Sequence, residues 1–138
     1  MIKNLKFLTV LSLSHSLVHA SMMLIPSLYI FLIKDFNVTA SLLGLIFSVV
    51  SLFFGIGSLP ISFLYNKLGA RKLLLISQLG IALSCILIFF TNKLIPFILL
   101  SSLLGLFSSV HHPIALTLIS ERSEEHTSEL QSRPHISY

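Results

Sequence analysis

The stretch Ser62–Lys72, SFLYNKLGARK, stands at the junction of two long apolar runs, Ser41–Tyr65 and Leu73–Phe90. It carries three of the seven basic residues in the first 120 positions: Lys67, Arg71 and Lys72. A hairpin this short, basic and glycine-centred cannot lie in hydrocarbon, where each charge is costly. It therefore fixes one end of each neighbouring run at the same membrane face.

The composition agrees. Of 138 residues, 54% are hydrophobic and only 10% charged, against about 25% charged in a soluble domain. Mean hydropathy is +0.94. The lone cysteine, Cys85, lies inside an apolar run, so it makes no internal disulfide and reads as a small buried residue. The net charge of +4 has two sources. Residues 1–120 hold six Lys, one Arg and the single acid Asp35, whereas residues 121–138 hold four Glu and two Arg. The basic excess belongs to membrane loops and leaves no basic face for a nucleic acid.

A spanning helix needs about 20 mostly apolar residues. Four runs qualify, 7–33, 41–65, 73–90 and 94–120, followed by a polar tail, 121–138. The fold class expected is all-α integral membrane. The connections Lys34–Ala40, Asn66–Lys72 and Thr91–Lys93 are short, so successive runs are antiparallel. Lys3, Lys6 and Val18-His19-Ala20 imitate a signal peptide, but the apolar run continues to Ile33 and a retained span is expected. Lys3, Lys6, Lys67, Arg71 and Lys72 fall on one side, Lys34 and Lys93 on the other. The positive-inside rule places the N-terminus and the 66–72 loop in the cytoplasm of a multi-pass protein of the inner (plasma) membrane. Asn37-Val38-Thr39 is read as a helix start, with Thr39 or Ser41 as cap.

The second run carries Gly44, Ser48, Ser51, Gly55, Ser58 and Ser62 at steps of four and three, one helical stripe. Small residues let helices approach closely in lipid, so this stripe is expected to pack against a neighbour. The fourth run repeats the device with Ser101, Gly105, Ser108, His112 and Ala115; His111 points about 100° away, and Pro113 predicts a kink. On the first run, Ser12, His15, His19, Met22, Pro26 and Tyr29 form a polar stripe. The four runs contain no Asp, Glu, Lys or Arg. Histidine is thus the one readily titratable side chain at membrane depth, and its protonation there depends on solvent access. His15, His19, His111 and His112, with Ser12, Tyr29 and Ser108, are the candidates for a substrate or proton pathway.

No catalytic constellation, phosphate loop or cofactor motif is visible, and an enzyme is not expected. His15 and His19 have the i, i+4 spacing of a metal pair but lack the acid of H-E-x-x-H, so no metal site is expected.

Ser62–Lys72 resembles the loop between helices 2 and 3 of the major facilitator superfamily, G-x-x-x-D-[RK]-x-G-x-[RK]-[RK]. Lys67, Gly69, Arg71 and Lys72 match; Ser62 replaces the first glycine and Asn66 the aspartate. The resemblance implies a cytoplasmic gating loop of Asn66, Lys67, Gly69, Arg71 and Lys72, with Asn66 able to hydrogen-bond but uncharged. Phe107–Pro113, FSSVHHP, with Gly105 upstream, is similar to the helix-4 signature of fosmidomycin-resistance-type efflux proteins, and His15 to their helix-1 histidine. Their Asn-Asp after that histidine is Val18-His19 here, and the arginine common in helix 4 of facilitators is missing. The likeness spans about residues 5–120. It implies the first four of twelve helices, two six-helix halves built from inverted repeats, with helices 1 and 4 lining a cavity.

The tail ERSEEHTSELQSRPHISY departs from all this. Physically it reads as a polar segment, disordered or marginally helical. From Arg122 it resembles a translated sequencing adapter, which implies a reading frame cut short. The function expected is a truncated secondary transporter, proton-coupled in the export of a small molecule when full length, needing the bilayer and the missing C-terminal half. The alternatives are a complete four-helix dimeric multidrug transporter, against which stands the absence of an acid in 7–33, and a membrane anchor or assembly protein.

Overall fold

A computed structural model describes residues 2–131, and the side chains of residues 5–124. The described chain is all-helical: α1 (Ile2–Ser27), α2 (Tyr29–Phe36), α3 (Ala40–Ser58), α4 (Ile61–Phe89), α5 (Leu94–Ser108) and α6 (His111–Gln131). Stretches long and apolar enough to cross a membrane lie at Leu5–Ser27, Ala40–Ser58, Ile61–Phe89 and Leu94–Glu124.

The helix breaks follow the prolines. A proline has no N–H and crowds the carbonyl four residues earlier. Pro26 sits at the end of α1, next to the break before α2. Pro60 lies between α3 and α4, where Leu59 N–H turns back to the Ile56 carbonyl at 3.1 Å. Pro113 lies in α6 just past the break at Ser109–Val110, and Ser109 is the residue whose carbonyl it crowds. One kink was expected; three breaks occur, those at Pro60 and Pro113 on the side where a proline acts, and the one at Leu28 two residues after Pro26.

Gly69 makes the reversal. It interrupts α4 with φ 74° and ψ 160°, which an L side chain rarely adopts. Gly57 faces Leu106 and Ser109, while Ser77 Oγ donates to the Phe107 carbonyl at 2.8 Å. In an unbroken helix Gly57 and Ser77 would be about 30 Å apart; instead both reach the same turn of chain. Ile61 and Leu73, on either side of the bend, share a buried cluster with Ile114. The bend is narrower than the 66–72 connection expected from hydropathy, because Asn66–Leu68 and Ala70–Lys72 stay helical. Lys34 to Phe36 likewise remain in α2. Apolar composition marks where the bilayer ends, whereas Lys and Arg are good helix formers and carry the helix beyond it.

At the opposite end of the spans, Asn37 ends α2 with φ 49°. Asn37 N–H bonds to the Lys34 carbonyl and Val38 N–H to that of Ile33, a Schellman close. Of the two candidate caps, Thr39 is used: its hydroxyl accepts from Leu42 N–H at 3.2 Å.

α5 is the centre of the bundle. It buries Phe97, Ser101, Ser102, Leu104, Gly105 and Ser108, which lie within an arc of about 160° of its circumference. Phe97 and Leu104 join Val18, Ile25, Leu43, Ile46 and Ile81 in the main core, so α1, α3 and α4 all close on this helix. Phe36 lies against Phe97 at 5.0 Å between ring centres, while His15 meets His112 at 4.8 Å. The first and fourth passes are therefore antiparallel.

The stripe of the second run corrects an expectation. Gly44, Ser48, Ser51, Gly55 and Ser62 are exposed, with Ser58 half-buried, and a methyl group added at Gly44 or Gly55 meets nothing within 4 Å. α3 instead turns Leu43, Ile46, Val50 and Gly57 inward. The reason lies in α5: a close contact needs smallness on one side only. Gly105 supplies it, since a Cβ there would sit 2.6 Å from the Val50 carbonyl oxygen.

Of the two readings of the tail, disordered or marginally helical, the described part is helical. α6 continues through Glu121 and Arg122 to Gln131. No Gly or Pro occurs between Ile114 and Arg133, so nothing local stops a helix that packing has already nucleated. Tyr65 OH donates to Glu121 Oε1 at 2.7 Å, tying the start of this extension to α4. Residues 132–138, with Arg133, Pro134 and His135, lie outside the described residues.

Candidate functional site

α1 buries Leu11, Val18 and Ile25, a seven-residue repeat that holds one edge of the helix against the bundle. His15 and His19 share a face beside that seam, His15 half-buried and His19 exposed. On the fourth pass the break before α6 re-aims the chain, leaving His111 fully buried and His112 half-buried. The four imidazoles converge. Ring centres lie 4.6 Å apart for His15–His19, 4.8 Å for His15–His112, 5.2 Å for His19–His112 and 5.5 Å for His15–His111. The Phe54 ring stands edge-on to His112 at 5.8 Å and forms a wall from the second pass.

His111 differs from the other three. Its Nε2 shares a hydrogen bond of 2.9 Å with Ser14 Oγ, which accepts another from Gln78 Nε2 at 2.8 Å. Three passes thus meet in one polar thread. His111 Nδ1 has no partner among the described residues, nor do the buried hydroxyls of Ser84, Ser101 and Ser108. A buried polar group without a partner is costly, and here three of the four (Ser101, Ser108 and His111) lie on the fourth pass.

The remaining sequence-derived candidates separate into groups. Ser108 is fully buried one turn before His112. Ser12 is exposed on the His15 side of α1. Tyr29 is drawn into the apolar core, its ring 6.2 Å from that of Phe47, and so stands apart from the histidines. Asn66, Lys67, Gly69, Arg71 and Lys72 are all exposed, with Lys67 Nζ 4.3 Å above the Phe63 ring. Arg71 and Lys6 flank an apolar groove of about 890 Å³ whose lining also includes Ser14 and Gln78. The basic bend and the polar thread thus border one space. Gly105 and Pro113 act on position alone: the glycine admits the second pass, and the proline breaks the fourth above the histidines.

Ser14, Gln78 and Phe54 were not singled out by sequence reasoning. Gln78 carried a readable signal, being the one amide in an apolar run, where side chains of that type hydrogen-bond across helices. Ser14 and Phe54 carried none, because serine and phenylalanine recur throughout these runs.

A family model described as Major Facilitator Superfamily matches residues 11–131, from the middle of α1 to the end of α6. The chain belongs to the major facilitator superfamily. No curated protein and no solved structure matches it. Members of this superfamily are transporters, and with its spanning helices the chain is a multi-pass membrane protein. The helices of this facilitator that bring the histidines together are its first and fourth passes.

Proposed function

We propose that this facilitator belongs to a proton-coupled exporter of a small molecule, of which the chain provides the first four of twelve spans. The carrying observation is the convergence of His15, His19, His111 and His112 from two passes. The apolar runs offer no carboxylate or amine at that depth to take a proton instead. In a fold of inverted repeats those two passes line the central cavity, and a proton on one of the rings changes the electrostatics of the cavity wall between its two open states. The fosmidomycin-resistance-type likeness supports export as the direction. The basic bend at Lys67–Lys72 faces the cytoplasm of the inner membrane, in accord with its Lys and Arg excess. The exposed stripe from Gly44 to Ser62 is then a face for the remaining spans, and the codons of Arg122–Gln131 show whether that segment is adapter sequence.

The test is transport by the full-length protein in vesicles with an imposed pH gradient. His19→Gln and His112→Gln, each alone, are expected to flatten the dependence of flux on pH. Unchanged dependence in both variants defeats the proton role. The 138-residue chain alone is expected to carry no flux.

A further inference from the structure

We propose that His15, His19 and His112 form an exchangeable site for a divalent transition-metal ion of the Zn²⁺, Ni²⁺ or Co²⁺ class. One ligand nitrogen from each of these residues can be chosen so that all lie within 4.8 Å of one another. Sequence spacing gave only the pair on α1 and none of the third ligand, which arrives from α6 across the helix interface. Imidazole is the ligand type that suits these ions, and among the described residues no carboxylate or thiol belongs to the group.

The geometry is that of an open site. Tetrahedral coordination at about 2.0–2.1 Å sets ligand nitrogens roughly 3.4 Å apart. The three rings reach this by turning about their side-chain bonds, with exposed His19 having the most freedom. Phe54 backs His112 and limits its ring. His111 is excluded from the set because its Nε2 is held by Ser14 and the ring is fully buried. Three protein ligands leave a fourth position for water or for a group on a bound molecule. Three neutral imidazoles do not offset a double positive charge, so the ion is held less tightly than in a closed structural site, and it exchanges.

The site stands independently of any proton role for the histidines. It is tested on the complete 138-residue chain in detergent micelles by titration with Co²⁺, followed by visible absorption. One equivalent is expected to bind with ligand-field bands that Zn²⁺ displaces. His19→Gln and His112→Gln are each expected to weaken binding by about tenfold or more. His111→Gln and the double variant His126→Gln/His135→Gln are expected to leave it unchanged. His19→Cys is expected to retain the ion and add a sulfur-to-metal charge-transfer band, and circular dichroism verifies helix content in every variant. Lack of saturable bands overturns the proposal. So does binding that survives His19→Gln in a helical chain, or binding lost with His126 and His135. None of these outcomes bears on the pH dependence of flux in the full-length transporter, so the two readings fail separately.

Discussion

Two helices of this protein carry the same device and use it in opposite ways. α3 spaces Gly44, Ser48, Ser51, Gly55 and Ser58 by fours and threes, and α5 spaces Ser101, Gly105 and Ser108 likewise. On α5 the small residues are buried, and Gly105 admits the second pass. On α3 that stripe looks outward, and the contact is made by the bulkier Leu43, Ile46 and Val50 together with Gly57, which lies off the stripe. A periodic run of small side chains thus states that close approach is possible at that face. It does not state which neighbour takes up the offer, because lipid supplies no hydrophobic drive to choose one.

The largest effect that sharpens this contrast is at Gly105. Any Cβ there would lie 2.6 Å from the backbone oxygen of Val50, an atom that cannot rotate away. Gly105→Val is expected to cost about 3 kcal/mol, at the upper end of ordinary overpacking. Unfolding of the purified chain by denaturing detergent, followed by circular dichroism, measures it. A variant as stable as the parent would mean that α3 and α5 are not in contact.

The contrast extends to polar side chains. Ser14 is bonded to both His111 and Gln78, whereas Ser101 is buried without a partner. Ser14→Ala strands a buried imidazole and is expected to cost roughly 1–2 kcal/mol. Ser101→Ala removes an unpaired hydroxyl and is expected to be neutral or stabilising in the same unfolding assay. Equal losses in the two variants would show that the thread from Gln78 to His111 contributes nothing.

These pairs also show what was readable in advance. The spans, their number and the bend at Gly69 follow from hydropathy and from one glycine among basic residues, because burial in lipid and steric permission are local properties. The three-kink course was half legible: the rule that made Pro113 conspicuous applies to Pro60 as well, while Pro26 was read only as a member of the polar stripe of the first run. The histidine cluster was legible as two pairs and not as one group, since convergence depends on the packing of α1 against α5 and α6. Gln78 was legible as an odd amide, but its partner on α1 could not be named from sequence. Helix ends were misjudged wherever Lys, Arg or Glu continued a helix past its apolar part, most of all along α6.

Gly69 gives a smaller effect of a different origin. A side chain at φ 74° is strained whatever the space around it, and nothing lies within 4 Å of an added methyl group there. Gly69→Ala is expected to cost about 1–2 kcal/mol. Gly69→Asn is expected to cost as much, because Asn tolerates the left-handed helical region that Asn37 occupies at ψ 49° and not the ψ of 160° at Gly69. Unfolding midpoints below the parent's in both variants check the assignment of the bend; an alanine variant equal to the parent would mean that 62–72 continues as one helix.

The smallest effect belongs to the outward stripe and decides whether the contrast is real. Gly44 and Gly55 have open space where a Cβ would go, and both have negative φ inside α3. Alanine at either position therefore meets no steric objection. It also lowers the backbone entropy lost on forming the helix, a gain of up to about 1 kcal/mol in water. In the 138-residue chain Gly44→Ala and Gly55→Ala are expected to leave stability unchanged or slightly raised. Even Gly55→Leu, ruinous against a packed neighbour, is expected to be tolerated, because lipid accepts a leucine side chain as readily as it accepts the exposed Leu45 and Leu52 on the same helix. A sharp loss on Gly55→Leu would place a helix against this face inside the isolated chain. Smallness would then mean the same thing on α3 as it does on α5.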